Sequence, residues 1–245
     1  CGGIGQASDY WGNDYFDDTY ERNGKFEKFE GYCTDVWFRE GMRFIEANKE
    51  KPFFLYLALN APHGPFLVPK EWAKPYAGNP DVSNPNFYGM IANIDHNMGL
   101  LRKKLTDLSL AENTILIFLT DNGTAAGFSP NRNDPDYGPL DSLPVRGYNA
   151  GMRGKKSSVY DGGHHVPFFI HWPKGALTGG RDIDTLAAHI DVLPTLAELC
   201  GIQVPDGYTP DGVSLSPLLN PTDTSWKRKH LVEQFLGGAG GNTLP

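Results

Sequence analysis

Phe53-Phe54-Leu55-Tyr56-Leu57-Ala58-Leu59 follows Pro52 as an unbroken apolar run of strand length. A strand with one wet face alternates apolar and polar residues, so this run predicts a strand covered on both faces, as in a parallel sheet between helices. Thr114-Ile115-Leu116-Ile117-Phe118-Leu119-Thr120 and Val166-Pro167-Phe168-Phe169-Ile170-His171-Trp172 read the same way. Helical spacing fills the intervals. Thr34 or Asp35 is placed to cap a helix running to about Asn48, with Val36, Phe38, Phe44 and Ile45 as its apolar residues. Phe87, Met90, Ile91, Ile94, Met98, Leu101, Leu105 and Leu108 step by three and four, which predicts one long buried stripe. Ile190 to Cys200 reads as a short helix with Ile190, Leu193, Leu196, Ala197 and Cys200 inward, and His230–Phe235 as a further strand. The expected architecture is α/β, a mostly parallel sheet flanked by helices. With no internal repeat and no interdomain linker, residues 1–245 read as a single domain cut at both ends. Residues 1–31 and 124–158 read as long loops, the first anchored by aromatic residues, the second too long for a plain connection and therefore functional.

Composition narrows the partners. The 245 residues carry 22 Lys and Arg against 29 Asp and Glu, a net charge of −7, which provides no footprint for a phosphate backbone and argues against nucleic acid. A hydrophobic share of 40% supports a packed core, and no apolar run approaches the roughly 18 residues a membrane span needs. Cys1, Cys33 and Cys200 are too scattered for a disulfide framework or a zinc site. Cys1-Gly2-Gly3-Ile4-Gly5 has no initiator Met, basic region or apolar region, so the sequence is expected to be processed or to be a fragment lacking upstream residues.

In open α/β sheets ligands bind beyond the carboxyl ends of the strands. His63 follows the first apolar run, Asp121 and Asn122 follow the second, and Lys155, Lys156, His164 and His165 precede the third. A carboxylate and an amide oxygen suit a hard cation such as calcium or magnesium, and ammonium and imidazole groups suit the oxygens of sulfate or phosphate.

Four segments carry a resemblance. Pro52 to Pro65 is similar to a strand followed by a "PHxP" loop, and Thr120-Asp121-Asn122-Gly123 to a "TDNG" metal loop. Met152 to Pro167 resembles "LRGGKGTTWEGGxRVP", and Asp211-Gly212-Val213-Ser214-Leu215 a "DGxSL" turn. In this order and spacing they resemble the type I, formylglycine-dependent sulfatases (arylsulfatases) of the alkaline-phosphatase superfamily. That resemblance implies an alkaline-phosphatase-like fold, with Asp121 and Asn122 as half of a calcium site. It also implies that Lys156 contacts the sulfate ester and that His63 donates to a bridging or sulfate oxygen, both as catalytic residues. His165 stands where the family more often has Arg, a substrate-binding position. The family's nucleophile is a formylglycine made from a C/S-x-P-x-R motif. Neither Cys1 nor Cys33 nor Cys200 begins that motif, and Asp17-Asp18 lies in the aromatic loop rather than after a strand. The nucleophile and its aspartate pair are therefore expected upstream of residue 1, and the chain taken alone is expected to be inactive.

Each position also has a plainer reading. Asp121-Asn122-Gly123 would suit a tight turn, Lys155-Lys156 a solvated pair, and His63 and His165 loop histidines satisfied by backbone. His96 reads as structural, His189 as a helix cap and Asp191 as a surface residue. The function implied is a sulfuric ester hydrolase, periplasmic or extracellular, acting on a sulfated carbohydrate or aryl sulfate. The alternatives are a phosphoryl or phosphonate ester hydrolase of the same superfamily, or a non-catalytic module that binds sulfated glycan.

Overall fold

Asn84-Pro85 opens the longest helix of the computed structural model, which describes residues 15–130, 145–220, 222–223 and 225–232. In chain order the main elements are β1 (Thr19–Arg22), β2 (Lys25–Lys28), α1 (Cys33–Asn48), α2 (Lys70–Ala73) and α3 (Pro85–Asp107). There follow β3 (Leu116–Leu119), β4 (Phe128–Pro130), β5 (Val145–Gly147), α4 (Asp161–His164), β6 (Phe168–His171), α5 (Val192–Leu199) and α6 (Ser216–Leu219). They divide into two compact units, one of residues 1–114 and 122–165, the other of residues 115–121 and 166–245. Among the described residues no helix is long and apolar enough to cross a membrane.

In the first unit the side chain of Asn84 accepts from the backbone N–H groups of Asn86 and Phe87, and Pro85 fills the first helical position where no N–H is required. Phe87, Met90, Ile94, Leu101 and Leu105 then bury one face of α3, and α1 supplies Val36, Phe38 and Ile45 to the same core. The expected stripe is rotated: Ile91 is exposed, while Asn93 and Asn97 are buried. Their amides donate to the Asp35 carboxylate at 2.9 and 2.7 Å. Asp35 therefore joins two helices rather than capping one; Tyr32 holds the N-cap position of α1 and makes no side-chain cap bond.

The apolar run 53–59 belongs to no ladder among the described residues. Leu55 and Leu57 lie against α1, 3.5 to 3.6 Å from where a Cβ on Gly41 would stand. Phe54 and Tyr56 on the other face are 73% and 81% exposed. Burial thus has the period of two that the residue types conceal.

The expected mostly parallel sheet is not found. Among the described residues β1–β2, β3–β6 and β4–β5 form three two-stranded sheets, all antiparallel. β6 is not covered on both faces, since Phe169 is 65% exposed. Part of the expected 1–31 loop is the β1–β2 hairpin, turned by Asn23 and Gly24 at φ 53° and 78°. Asn-Gly is the strongest short hairpin signal because both central residues of that turn need positive φ.

The second unit is organised around Asp191, which is fully buried rather than a surface residue. Its carboxylate accepts from the N–H groups of Ala188 and Val213 and from both Nη atoms of Arg228. Thr195 of α5 donates to the Asp191 carbonyl and accepts from Leu215 N–H, tying the segment before α6 to α5. On α5, Thr195 and Ala197 are buried, whereas Ile190, Leu193 and Cys200 are exposed, contrary to the expected inward face. His230 to Val232 form no strand, and the rest of the strand expected over 230–235 lies outside the described residues.

Candidate functional site

β3 ends at Leu119, and Asp121-Asn122-Gly123 follow as a bend. The division between the two units falls between Asp121 and Asn122. The Asn122 amide nitrogen donates to the Gly123 carbonyl at 3.1 Å, so the oxygen is the end of that amide able to ligate a cation. A carboxylate such as that of Asp121 and an amide oxygen such as that of Asn122 are each of the kind that suits a hard divalent ion. Among the described residues no three His, Cys, Asp or Glu side chains gather as a metal cluster.

Within the first unit the Asn122 loop is stitched to the segment that carries Lys156. Gly123 N–H donates to the Gly163 carbonyl at 2.8 Å, and Lys156 N–H to the Thr124 carbonyl at 2.9 Å. The close approach depends on glycine, because a Cβ on Gly123 would overlap the Gly162 carbonyl oxygen. Thr124 is itself fixed, its Oγ1 accepting from Gly127 N–H at 2.9 Å. Asn122 and Lys156, 34 positions apart in sequence, are therefore neighbours through main-chain bonds.

His63 is anchored separately. Its N–H donates to the Asn60 carbonyl at 3.0 Å, and its carbonyl accepts from the Tyr15 hydroxyl at 2.8 Å. Its Nδ1 lies 3.0 Å from the Gly64 carbonyl. A carbonyl can only accept, so that contact places the proton on Nδ1 and leaves Nε2 as the ring atom for a ligand. His165 follows α4, its N–H donating to the Asp161 carbonyl at 2.7 Å, while the neighbouring His164 ring reaches the Val159 carbonyl. Asp17 and Asp18 are used by the backbone around the hairpin, accepting from Gly31 N–H and Thr19 N–H, which agrees with a structural role. His96 is exposed beside the Trp72 ring, and the His189 ring meets the Thr120 carbonyl.

Tyr15, one of the aromatic anchors expected in residues 1–31, is fully buried, while Thr124, Arg153 and Tyr160 also hold these segments without any role expected from sequence. Their contacts reach across loops of no fixed period, so spacing carries no signal for them. One sequence feature was also passed over: Ser142-Leu143-Pro144-Val145-Arg146 spells the serine form of C/S-x-P-x-R. Residues 131–144 lie outside the described residues.

Residues 1–202 match the family described as Sulfatase, and the chain belongs to that family. It is 31% identical over 207 residues to the uncharacterized sulfatase YdeN of Escherichia coli, covering 83% of this chain and 34% of that protein. It is 31% identical over 212 residues to the N-acetylgalactosamine-6-O-sulfatase of Bacteroides thetaiotaomicron, covering 86% of this chain and 38% of that protein. The crystal structure of Ps i-CgsB in complex with k-i-k-neocarrahexaose superposes with a TM-score of 0.66 at 32% identity, over 80% of this chain and 40% of the other. The chain thus has the alkaline-phosphatase-like fold of the sulfatases and spans about a third of the length of the curated relatives it matches.

Proposed function

We propose that this chain supplies the cation-binding and sulfate-binding residues of a sulfuric ester hydrolase that acts on a sulfated carbohydrate. The observation that supports this most is the main-chain stitch joining the Asn122 loop to the segment of Lys156, because it brings together the backbones that carry an amide oxygen suited to a cation and an ammonium suited to an oxyanion. Asp121 and Asn122 would hold calcium, which when bound withdraws charge from sulfate oxygens as a Lewis acid. Lys156 adds a charge-assisted hydrogen bond that strengthens as negative charge shifts onto the departing oxygen. His63, with Nδ1 turned to Gly64, presents Nε2 to the ester; protonated, that atom donates to the bridging oxygen. His165 orients the substrate, a shorter and more weakly basic group than the Arg the family more often carries.

The carbohydrate reading is supported by a relative named N-acetylgalactosamine-6-O-sulfatase and by a similar protein solved in complex with k-i-k-neocarrahexaose. A periplasmic or extracellular setting goes with such substrates. The family implies a formylglycine nucleophile, and Ser142 begins a serine form of its motif. Mass spectrometry of the full-length protein after hydrazide labelling locates the nucleophile, and an aldehyde at Ser142 would place it in this chain.

The decisive experiment measures sulfate release from N-acetylgalactosamine 6-sulfate and from a carrageenan oligosaccharide by the full-length protein. Asp121→Ala and Lys156→Ala are each expected to lose at least about a hundredfold in turnover, the scale of removing a preorganised charge-stabilising group. Wild-type turnover in both variants would overturn the site. Release of phosphate from a monoester in preference to sulfate would favour the phosphoryl hydrolase, and binding of glycan without any release would favour the non-catalytic module.

A further inference from the structure

We infer that Arg153 and Tyr160 form a clamp that positions Lys156, a role that rests on the assignment of Lys156 to the sulfate ester. The two residues close the neck of the loop that carries the lysine. The Arg153 guanidinium carbon lies 3.7 Å from the centre of the Tyr160 ring, well inside the range of a cation–π contact. The same neck carries two main-chain bonds, Gly162 N–H to the Arg153 carbonyl at 2.8 Å and Gly163 N–H to the Tyr160 carbonyl at 2.7 Å. Between these ends, Ser158 N–H donates to the Lys155 carbonyl at 3.0 Å.

The loop needs such closure. Ser157, directly after Lys156, has a φ of 70°, a conformation that costs a non-glycine residue and persists only where the surroundings over-determine it. Lys156 itself is tied outward by one main-chain bond, to Thr124. If the neck opens, that bond alone cannot fix the direction of a long, flexible side chain, and the ammonium loses a defined position. The clamp therefore acts through Lys156. The stacked Tyr160 face engages the guanidinium, and an aromatic ring, not a phenol hydroxyl, is what the contact requires.

Full-length enzyme carries the test, with kcat and KM for an aryl sulfate and the thermal midpoint measured for each variant. Tyr160→Phe keeps the ring and is expected to match the wild type. Tyr160→Leu and Arg153→Met are each expected to lower kcat roughly fivefold, the whole worth of an exposed cation–π contact, with KM and midpoint little changed. In a Lys156→Ala background, assayed on its residual turnover, neither change is expected to reduce kcat further. Losses that persist in that background, equal losses in Tyr160→Phe and Tyr160→Leu, or no loss in Tyr160→Leu and Arg153→Met would overturn the clamp while leaving the proposed site standing. Wild-type turnover in Lys156→Ala would instead remove the assignment of Lys156 and the clamp together. Should Tyr160→Leu fail to fold, Arg153→Met, which keeps the length of the stem, decides the matter alone.

Discussion

Asp191 and Lys156 illustrate two ways of holding a charge. Asp191 is 0% exposed, and both of its carboxylate oxygens are consumed by Arg228 and by the N–H groups of Ala188 and Val213. Lys156 is only half-buried and is fixed through its main chain, to Thr124. A charge whose bonds are all spent inside the protein orders the chain; under the proposed function, a lysine fixed through its main chain keeps its head for a ligand. Stability and turnover should therefore respond oppositely at the two sites. Arg228→Met leaves a buried carboxylate without its counter-charge and is expected to cost about 3–5 kcal/mol in urea unfolding. Lys156→Ala is expected to change stability by no more than about 0.5 kcal/mol while turnover collapses.

Acid sharpens the contrast. Burial alone would raise the Asp191 carboxyl, but the bonds from Arg228, Val213 and Ala188 hold it below the ordinary carboxylate range. A depressed native pKa contributes stability that is fully present above the unfolded value, about 4, and is lost as pH falls through the native value. Without Arg228 the buried carboxyl prefers its proton. The stability gap between wild type and Arg228→Met is therefore expected to be widest near neutrality and to narrow in acid. A gap independent of pH would mean that packing, not charge, is what Arg228 supplies.

Glycine offers a second comparison, with opposite signs. A Cβ on Gly123 would overlap the Gly162 carbonyl, whereas a Cβ on Gly99 in α3 would meet nothing within 4 Å. Gly123→Ala is expected to destabilise by about 1–3 kcal/mol and to weaken calcium binding measured by calorimetry, because the Asn122 loop must shift. Gly99→Ala is expected to stabilise by up to ~1 kcal/mol, the helix-propensity difference between the two residues. Equal effects at the two positions would mean that the loop accommodates the methyl group and that the close approach does not position Asn122.

The same distinction between kinds of contact explains what could be read from the amino acids alone. The long helix α3 was legible because its apolar spacing repeats over more than six turns, and only Ile91, Asn93 and Asn97 shift its face, in response to the Asp35 carboxylate of α1. The candidates for a cation and an oxyanion were drawn from residues that stand just beyond or before apolar runs. Sheet direction was not. An apolar run states which side chains can be buried but not which strand lies beside it, and β3 pairs with β6 antiparallel. The Asn23-Gly24 turn was readable and was masked by the surrounding aromatic and acidic residues. Asp191 was misplaced because its partner, Arg228, lies 37 positions away with no pattern linking them.

The apolar run 53–59 sets two faces of one segment against each other and yields the smallest effect. Leu57 lies against α1 at Gly41, while Tyr56 points away and is 81% exposed. Leu57→Ala is expected to cost about 1–2 kcal/mol, less than a fully buried leucine because the site is half-covered. Tyr56→Ser is expected to fall within about 0.5 kcal/mol, as for other exposed positions. Both are measured as urea midpoints, first in the 245-residue chain and then in the full-length protein. The residue types of this run argue for two covered faces, and the contacts show one. A cost above about 1.5 kcal/mol for Tyr56→Ser in the full-length protein alone would mean that the second face acquires a cover there, since removing an aromatic ring from water-exposed surface has no other route to so large a penalty.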